Sequence, residues 1–355
     1  TYPLFHTLLD QLGVAVRASN MSFSYTDETL PFYYAGTGIN GLFAQRSNLF
    51  RPGFWRMLLD IRRFCREGSR DLDEGTLGQV LIGDYVTDGG YGPHFVNWYL
   101  IPMMAAIWST PPGEVMAFPA AALLSFFRNH GLLSLHNRPT WQTVVGGSHA
   151  YVEAFERQFQ GTLRPSSPVE RVRRLDDGVM VYPAGGEPEH FHAAVLAVHA
   201  DQALAMLEDP DANERALLGA WHYERNHVVL HTDTSALPPV QRAWASWNYA
   251  REATDEMSKP VSVTYDMNRL QGLDTARQYC VSLNHQRPLE QESIIAQMDY
   301  MHPTYSFASM GTQEALVTLN GQRHTYFCGS YFGHGFHEDA VRSGVQVGKA
   351  FGIDL

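Results

Sequence analysis

Paired cysteines are missing from this sequence. Its three cysteines, Cys65, Cys280 and Cys328, are far apart and form no C-x-x-C pair. An odd number of scattered cysteines argues against a disulfide framework and against a cysteine-based zinc site, and it fits thiols kept reduced in a cytosol. We therefore expect a cytoplasmic protein with no metal site.

Positive charge and long apolar runs are also scarce. The chain has 26 Lys and Arg residues against 37 Asp and Glu residues, a net charge of −11, so we expect no nucleic-acid partner. The longest apolar run, FVNWYLIPMMAAIW at 95–108, contains Pro102 and is too short to cross a bilayer. No transmembrane helix is predicted, and peripheral contact with a membrane stays open. We interpret the run as core helices, with a hydrophobic substrate lining as a compatible alternative.

The composition is that of a globular protein. Of 355 residues, 45% are apolar and 18% are charged, and this length suffices for two domains or for one domain with an insertion. Residues 48–135 show helical spacing, whereas the segments on either side alternate strand-like and helical patterns. The pattern predicts an α/β fold with a mostly helical block inserted into it.

The segment FYYAGTGINGLF, at 32–43, has the G-x-G-x-x-G spacing of a dinucleotide-binding turn. Such a turn must open a helix and be followed by an acidic residue at the end of a second strand. Here Pro52 and Gly53 interrupt the chain where that helix should run, and Asp60 lies within a helical pattern. We interpret the segment as a connector into the helical block.

The segment VVGGSHAYV predicts a strand, a tight turn and a helix. Gly146, Ser148 and Ala150 nearly match the nucleophile elbow of serine hydrolases, with His334 or His337 as the downstream base. A Gly-Gly pair before a helix equally lets a phosphate or a flavin ring approach the backbone. The residues themselves leave both interpretations open.

The segment YFCGSYFGHGFHEDAVRSG closes the chain with a strand ending at Cys328, a glycine-rich turn and a helix that starts near His337. The first N–H groups of a helix, together with its dipole, favour an anion or an electron-rich ring edge. We interpret Glu338 and Asp339 as first-turn charges that stabilise this helix.

Several segments together resemble the flavin-dependent amine oxidase and phytoene desaturase superfamily, in particular its bacterial branch of "NAD/FAD-binding" proteins. In chain order they are TYPLFHTLLDQLGV, GLFAQRSNLFRPGFWRML, YLIPMMAAIWS, FFRNHGLL, RPTWQTVVGGSHAYV, VLAVHADQALAML and FCGSYFGHGFHEDAVRSG. The resemblance implies a Rossmann-type FAD-binding domain assembled from separated pieces of chain, with a mixed sheet-and-helix substrate domain inserted between them.

The resemblance also implies which residues bind FAD. Ser330 stands where many relatives have an aspartate, and Val169 is expected to offer its backbone to the adenine. The full set of expected FAD contacts is Gly146, Gly147, Ser148, Val169, Gly329, Ser330, Gly335, Phe336, His337 and Glu338.

The implied domain pieces follow the same layout. Residues 1–47 would begin the substrate domain, 48–135 form its helices and 206–320 its sheet, while 136–205 and 321–355 would belong to the FAD-binding domain. In the family the G-x-G-x-x-G turn and the ribose-binding glutamate are at the N-terminus. We expect that unit to precede Thr1, which would leave the FAD domain incomplete here.

The implied activity is an oxidase or desaturase that removes hydride from an apolar, lipid-like or amine substrate. The catalytic residues stay open, because the flavin carries the chemistry. His149, Trp141 and Tyr331 are near the implied flavin segments without an assigned role. A serine hydrolase that uses Ser148 and a non-catalytic flavin-binding protein are the alternatives.

Overall fold

The structure is a computed structural model that describes residues 2–109, 111–134, 139–251 and 262–355. The chain forms two compact units. Unit 1 comprises Thr1–Ala15, Ser148–Tyr223 and Pro303–Leu355, and unit 2 comprises Val16–Gly147 and Glu224–His302.

The helices are α1 (Pro3–Leu12), α2 (Ile39–Leu42), α3 (Pro52–Asp73), α4 (Ile82–Asp88), α5 (Pro93–Phe95), α6 (Ile101–Trp108), α7 (Pro112–Val115), α8 (Ala120–Asn129), α9 (His149–Gln158), α10 (Ala200–Met206), α11 (Ala212–Leu218), α12 (Met267–Gln271), α13 (Phe307–Met310), α14 (Gln313–Leu316) and α15 (His337–Ala350). The strands are β1 (Val16–Ala18), β2 (Phe23–Asp27), β3 (Phe32–Ala35), β4 (Gln142–Val144), β5 (Val169–Leu175), β6 (Gly178–Pro183), β7 (Glu189–Phe191), β8 (Ala194–Leu196), β9 (Tyr223–His231), β10 (Trp247–Arg251), β11 (Ser262–Asp266), β12 (Cys280–Leu283), β13 (Ile294–Pro303) and β14 (Thr325–Phe327).

Unit 1 contains two small sheets. Strands β5, β6 and β7 form an antiparallel sheet, and β8 pairs in parallel with β14. Helix α1 contacts both α9 and α15. The three helices therefore form one packed group in unit 1.

A buried ion pair stabilises unit 1. The guanidinium of Arg174, in β5, binds the carboxylate of Glu214, in α11, and its Nε donates to Asp209 Oδ1 at 3.0 Å. The side chains of Arg174 and Glu214 are only 1% and 3% exposed. Glu214 also accepts the N–H of Asp211 at 2.8 Å, which caps α11. One charge network thus joins β5 to the start of α11.

Unit 2 contains a seven-stranded sheet in the order β13-β9-β12-β11-β10-β2-β3. Strands β2 and β10 are parallel, whereas the pairs β2/β3, β10/β11, β11/β12 and β12/β9 are antiparallel. A separate antiparallel pair joins β1 to β4. The sheet is therefore assembled from strands on both sides of the helical block in the sequence.

Aromatic residues form the core on one face of this sheet. Tyr25 stacks on Tyr249 with ring centroids 5.7 Å apart, and Phe32 lies 4.3 Å from Trp98 of the π-helical turn that precedes α6. Phe54 of α3 meets Phe32 edge to face at 6.0 Å and is fully buried. The helical block packs on the sheet through these rings.

Polar side chains on the other face form a ladder. Ser24, Asn248, Thr264 and Ser282 lie opposite one another on four neighbouring strands. Ser24 Oγ donates to Asn248 Oδ1 at 2.8 Å, Thr264 Oγ1 and Ser282 Oγ are 2.7 Å apart, and Ser282 Oγ is 2.8 Å from His231 Nε2. All five residues are buried, and these bonds offset the cost of burying their polar groups.

The predicted elements are confirmed in the described part of the chain. Helices α3 to α8 fill the helical block, and the strand-turn-helix around the Gly-Gly pair is β4 and α9. The G-x-G-x-x-G segment follows β3, which is antiparallel to its neighbour, and enters only the four-residue α2. It is a connector, as predicted. Among the described residues, no helix has both the length and the apolar character needed to span a membrane.

Protonation of His285 is expected to weaken the fold. Burial, with help from the positive charge of Arg287, lowers the pKa of His285 from 6.5 to about 4. The unfolded chain takes up this proton at a higher pH than the folded protein does. The contribution of neutral His285 to the free energy of unfolding is therefore complete above pH 6.5. It declines as the pH falls from 6.5 towards 4, by at most about 1.4 kcal/mol per pH unit. Urea unfolding at several pH values should show a shallower decline for His285→Gln. The exposed His149→Gln is the control, and an unchanged slope for His285→Gln would contradict this assignment.

Candidate cofactor site

The segment between β14 and α15 is a glycine-rich loop, Gly329–Phe336, hereafter the glycine loop. It contains a 3-10 turn at Ser330–Phe332. At Gly335 the backbone φ is +92°, and a Cβ there would lie 2.5 Å from the hydroxyl oxygen of Tyr305. Glycine at this position therefore lets the loop lie directly against a buried ring.

One carboxylate holds the end of the glycine loop. The N–H groups of His334 and Phe336 donate to Asp339 Oδ2 at 3.0 and 3.1 Å, and Arg342 binds Oδ1 at 3.0 Å. Asp339 is the third residue of α15, so these bonds cap the helix and fix its entry. The expected first-turn charge is present, but its main structural role is to hold the loop.

Two further side chains fix the glycine loop: one binds two of its carbonyl groups, and the other binds its first residue. Gln313 Nε2, in α14, donates to the carbonyls of Tyr331 and Gly333 at 3.1 and 2.6 Å. Ser343 Oγ accepts the N–H of Gly329 at 2.9 Å. Sequence reasoning missed Gln313 and Ser343, because no short-range motif links either side chain to the loop.

The start of α15 keeps two backbone donors available. The N–H groups of His337 and Glu338 make no hydrogen bond to any residue that the structure describes, whereas those of Asp339 and Ala340 donate to the carbonyl of Phe336. These two donors lie at the positive end of a 14-residue helix. The position can therefore bind an anion or the electron-rich edge of a ring.

The side chain of Glu338 is used within the protein. Its two carboxylate oxygens accept the N–H groups of Leu4 and Phe5 at 3.2 and 2.9 Å, and the residue is only 6% exposed. It thereby caps α1, whose first helical residue is Pro3. Any cofactor contact by Glu338 is left to its backbone N–H.

Buried aromatic rings pack against the glycine loop. Tyr331 packs against Trp221 at 5.8 Å, and Trp221 meets Tyr305 edge to face at 5.5 Å. Burial raises the pKa of Tyr331 well above its ordinary value, and its buried hydroxyl has no hydrogen-bond partner among the described residues. An unsatisfied buried hydroxyl at this point is a group that a bound molecule could pair.

The Gly-Gly pair forms the turn between β4 and α9. Gly146 and Gly147 have φ values of +82° and +81°, and the N–H of Gly147 donates to the carbonyl of Val144 at 3.1 Å. Consecutive left-handed residues require this glycine-rich sequence. Ser148 follows as the N-terminal cap position of α9 and is exposed.

Ser148 lacks the geometry of an activated nucleophile. Its φ and ψ of −63° and −23° are helical and unstrained, and no hydrogen bond joins its hydroxyl to a histidine in the described chain. His337 Nε2 instead lies 3.4 Å from the hydroxyl of Tyr151, and His149 pairs with Glu153 at 3.2 Å. The structure gives no support to a serine hydrolase.

Most of the predicted FAD contacts belong to unit 1. Six of them, Gly329, Ser330, Gly335, Phe336, His337 and Glu338, are brought together in the glycine loop and the first turn of α15. Val169 is the half-buried first residue of β5, and Gly146 and Gly147 fall in unit 2. Within the described ranges, no cluster of three or more His, Cys, Asp or Glu side chains has the arrangement of a metal site.

No family model and no curated protein matches the sequence. Solved structures do match the fold. A fatty acid isomerase from P. acnes superimposes with a TM-score of 0.64 at 16% identity, covering 99% of this chain and 85% of its own. Putrescine oxidase gives 0.68 at 12% identity, with the same shares covered. Cyclohexylamine oxidase from Brevibacterium oxydans gives 0.65 at 11% identity over 98% of this chain and 84% of its own.

At these identities the comparisons establish the fold. The predicted α/β class is confirmed, and it is the fold of amine oxidases, as the sequence resemblance implied. Evidence for the cofactor and for the reaction has to come from the residues of the site.

Proposed function

We propose that this chain belongs to an FAD-dependent oxidoreductase of the amine oxidase type, which removes hydride from a C–H bond of an apolar substrate, next to the nitrogen where the substrate is an amine. The observation that carries the proposal is the glycine loop, fixed by side chains on both sides and ending at two open N–H groups of α15. This is a rigid surface with donors for the electron-rich edge of a flavin. The fold supports the same conclusion.

The proposed roles of the residues follow their positions. Gly329, Ser330, Gly335 and Phe336 would hold the flavin through backbone groups, and His337 and Glu338 through the open N–H groups of α15. Gly146, Gly147 and Ser148 would lie close to the flavin, and Val169 would contact the adenine. The fit rests on the open donors and on the unpaired hydroxyl of Tyr331.

We assign most of the cofactor contacts to unit 1 and the substrate to unit 2. Unit 1 contains the glycine loop, α9 and the start of β5. It includes 148–205 and 321–355 of the expected FAD-binding segments, whereas 136–147 fall in unit 2. When bound, FAD supplies the hydride acceptor. The protein then has to orient the cofactor and exclude water, and this agrees with the lack of an activated nucleophile at Ser148.

The proposed substrate is lipid-like or an amine. Structures with this fold include a fatty acid isomerase and oxidases of putrescine and cyclohexylamine, so both classes are accommodated by the architecture. We also propose a cytoplasmic location. The three cysteines are buried and form no disulfide in the described chain, as expected for a reducing compartment.

The reaction can be tested by anaerobic mixing of the FAD-loaded protein with an unsaturated fatty acid and, separately, with a primary amine. Loss of the visible absorption of oxidised flavin with either compound supports the proposal and selects the substrate class. Flavin that stays oxidised with a wide panel of both classes would support a non-catalytic flavin-binding protein. A colourless protein whose Ser148 reacts with a serine-directed phosphonate would favour a serine hydrolase instead.

A further inference from the structure

Helix α3 has an outer face that no described part of the chain covers. Its core residues, Phe54, Met57 and Phe64, follow helical spacing and are at most 1% exposed. On the opposite side Trp55 and Leu59 are one turn apart and face solvent. A helix that packs one apolar face against the core normally presents polar residues on its solvent-facing side. Exposed Trp and Leu residues on that side therefore need a separate explanation.

These residues continue an exposed apolar surface that begins before the helix. We define the apolar patch by five side chains and their exposed fractions: Ile39 79%, Leu49 44%, Phe50 87%, Trp55 46% and Leu59 65%. Trp55 Nε1 donates to the carbonyl of Leu49 at 2.9 Å, which holds the indole beside the 3-10 turn Arg46–Phe50. The indole also lies 5.5 Å from the ring of Phe43, next to α2. The indole of Trp55 is therefore held in place within the patch.

Arginines surround the apolar patch. Residues 46–70 contain seven arginines and two acidic residues, although the whole chain has a net charge of −11. Four of these arginines form no ion pair with any described residue: Arg46, Arg51, Arg56 and Arg62. Of the two acidic residues, Glu67 pairs with Arg63 and Arg66, and Asp60 is 8% exposed and accepts the N–H of Gly92 at 3.0 Å. These four arginines therefore give the surface around the patch positive charge.

The charge distribution selects the partner. A second copy of the chain docking through the same patch would bring like-charged arginines together, which opposes a two-fold contact. An anionic lipid surface complements both features. Trp and Phe side chains favour the boundary between headgroups and acyl chains, and arginines bind lipid phosphates.

We propose that the apolar patch and Arg46, Arg51, Arg56 and Arg62 dock the protein on an anionic phospholipid bilayer. Phe50, Trp55 and Leu59 enter the interface, while the arginines contact the phosphates. The protein lies on the bilayer without crossing it. This function is independent of the flavin chemistry, because it needs only folded unit 2.

Vesicle co-sedimentation tests the proposal. We expect binding to vesicles of phosphatidylcholine with phosphatidylglycerol at low salt, and little binding to vesicles of phosphatidylcholine alone. Phe50→Ser/Leu59→Ser should weaken binding by about tenfold or more, and Arg56→Gln/Arg62→Gln by about fivefold for each arginine. The control is Ile295→Ser, since Ile295 is 51% exposed elsewhere in unit 2; it should bind like the unaltered protein.

Three results would overturn the proposal: equal binding to both kinds of vesicle, no binding to either kind, or variants that bind like the control. Light scattering measures whether the protein and its variants are monomers or dimers. A dimer that Phe50→Ser/Leu59→Ser converts to a monomer would identify the patch as a contact between copies. Thermal melting of each variant confirms that a loss of binding does not reflect unfolding.

Discussion

Gly335→Ala is expected to empty the proposed flavin site while unit 2 stays folded. The backbone φ of +92° at this position is strained for alanine, and its Cβ would lie 2.5 Å from the hydroxyl oxygen of Tyr305. A left-handed non-glycine residue costs about 1–3 kcal/mol, and relieving the collision moves the glycine loop away from its hydrogen-bonding partners. We expect FAD affinity to fall by about tenfold or more, measured by quenching of flavin fluorescence on titration.

The matched control for this change is Gly344→Ala. Gly344 lies inside α15, close in sequence to the glycine loop, and a Cβ there would meet no atom within 4 Å. Alanine in a helix interior is favoured over glycine by about 0.5–1 kcal/mol, so this variant should bind FAD normally and melt slightly higher. If both variants bind FAD as tightly as the unaltered protein, the glycine loop does not hold the cofactor.

Arg174→Met is expected to destabilise unit 1 strongly. The change leaves the carboxylate of Glu214 buried without its partner, and Asp209 loses its bond to Nε at 3.0 Å. Removing one member of a buried ion pair costs about 3–5 kcal/mol, because the remaining charge is uncompensated. Urea unfolding followed by circular dichroism measures this loss.

Two further variants test the cause. Arg173→Met changes the neighbouring exposed residue of β5 and should alter the free energy of unfolding by less than about 0.5 kcal/mol. Arg174→Met/Glu214→Gln removes both charges while an amide remains to cap α11, and it should recover most of the stability. A double variant as unstable as Arg174→Met alone would show that packing, not charge, causes the loss.

Elements set by short-range patterns were predictable from the sequence. The spacing of Phe54, Met57 and Phe64 marks α3, and Pro52 begins it. The hairpin β5/β6 turns at Asp176 and Asp177, directly before Gly178, and Asp and Gly are residues that favour such a turn. Each signal lies within a few residues of the structure it specifies, so a single sequence is enough to detect it.

Contacts between distant residues left no such signal. The carboxylate of Glu338 caps α1 through residues more than 330 positions away, and Gln313 reaches the loop from α14. The parallel pairing of β2 with β10 joins segments on either side of the helical block. Side-chain roles at the site are set by such long-range geometry, which explains why the motif located the glycine loop without identifying what holds it.

The most direct test of the central claim is to incubate the purified full-length protein with FAD, remove the excess and record the visible spectrum. We predict the absorption bands of an oxidised flavin and release of stoichiometric FAD on denaturation, identified by mass spectrometry. Protein that stays colourless, although circular dichroism shows it folded, would contradict the assignment of the glycine loop and α15 to flavin binding.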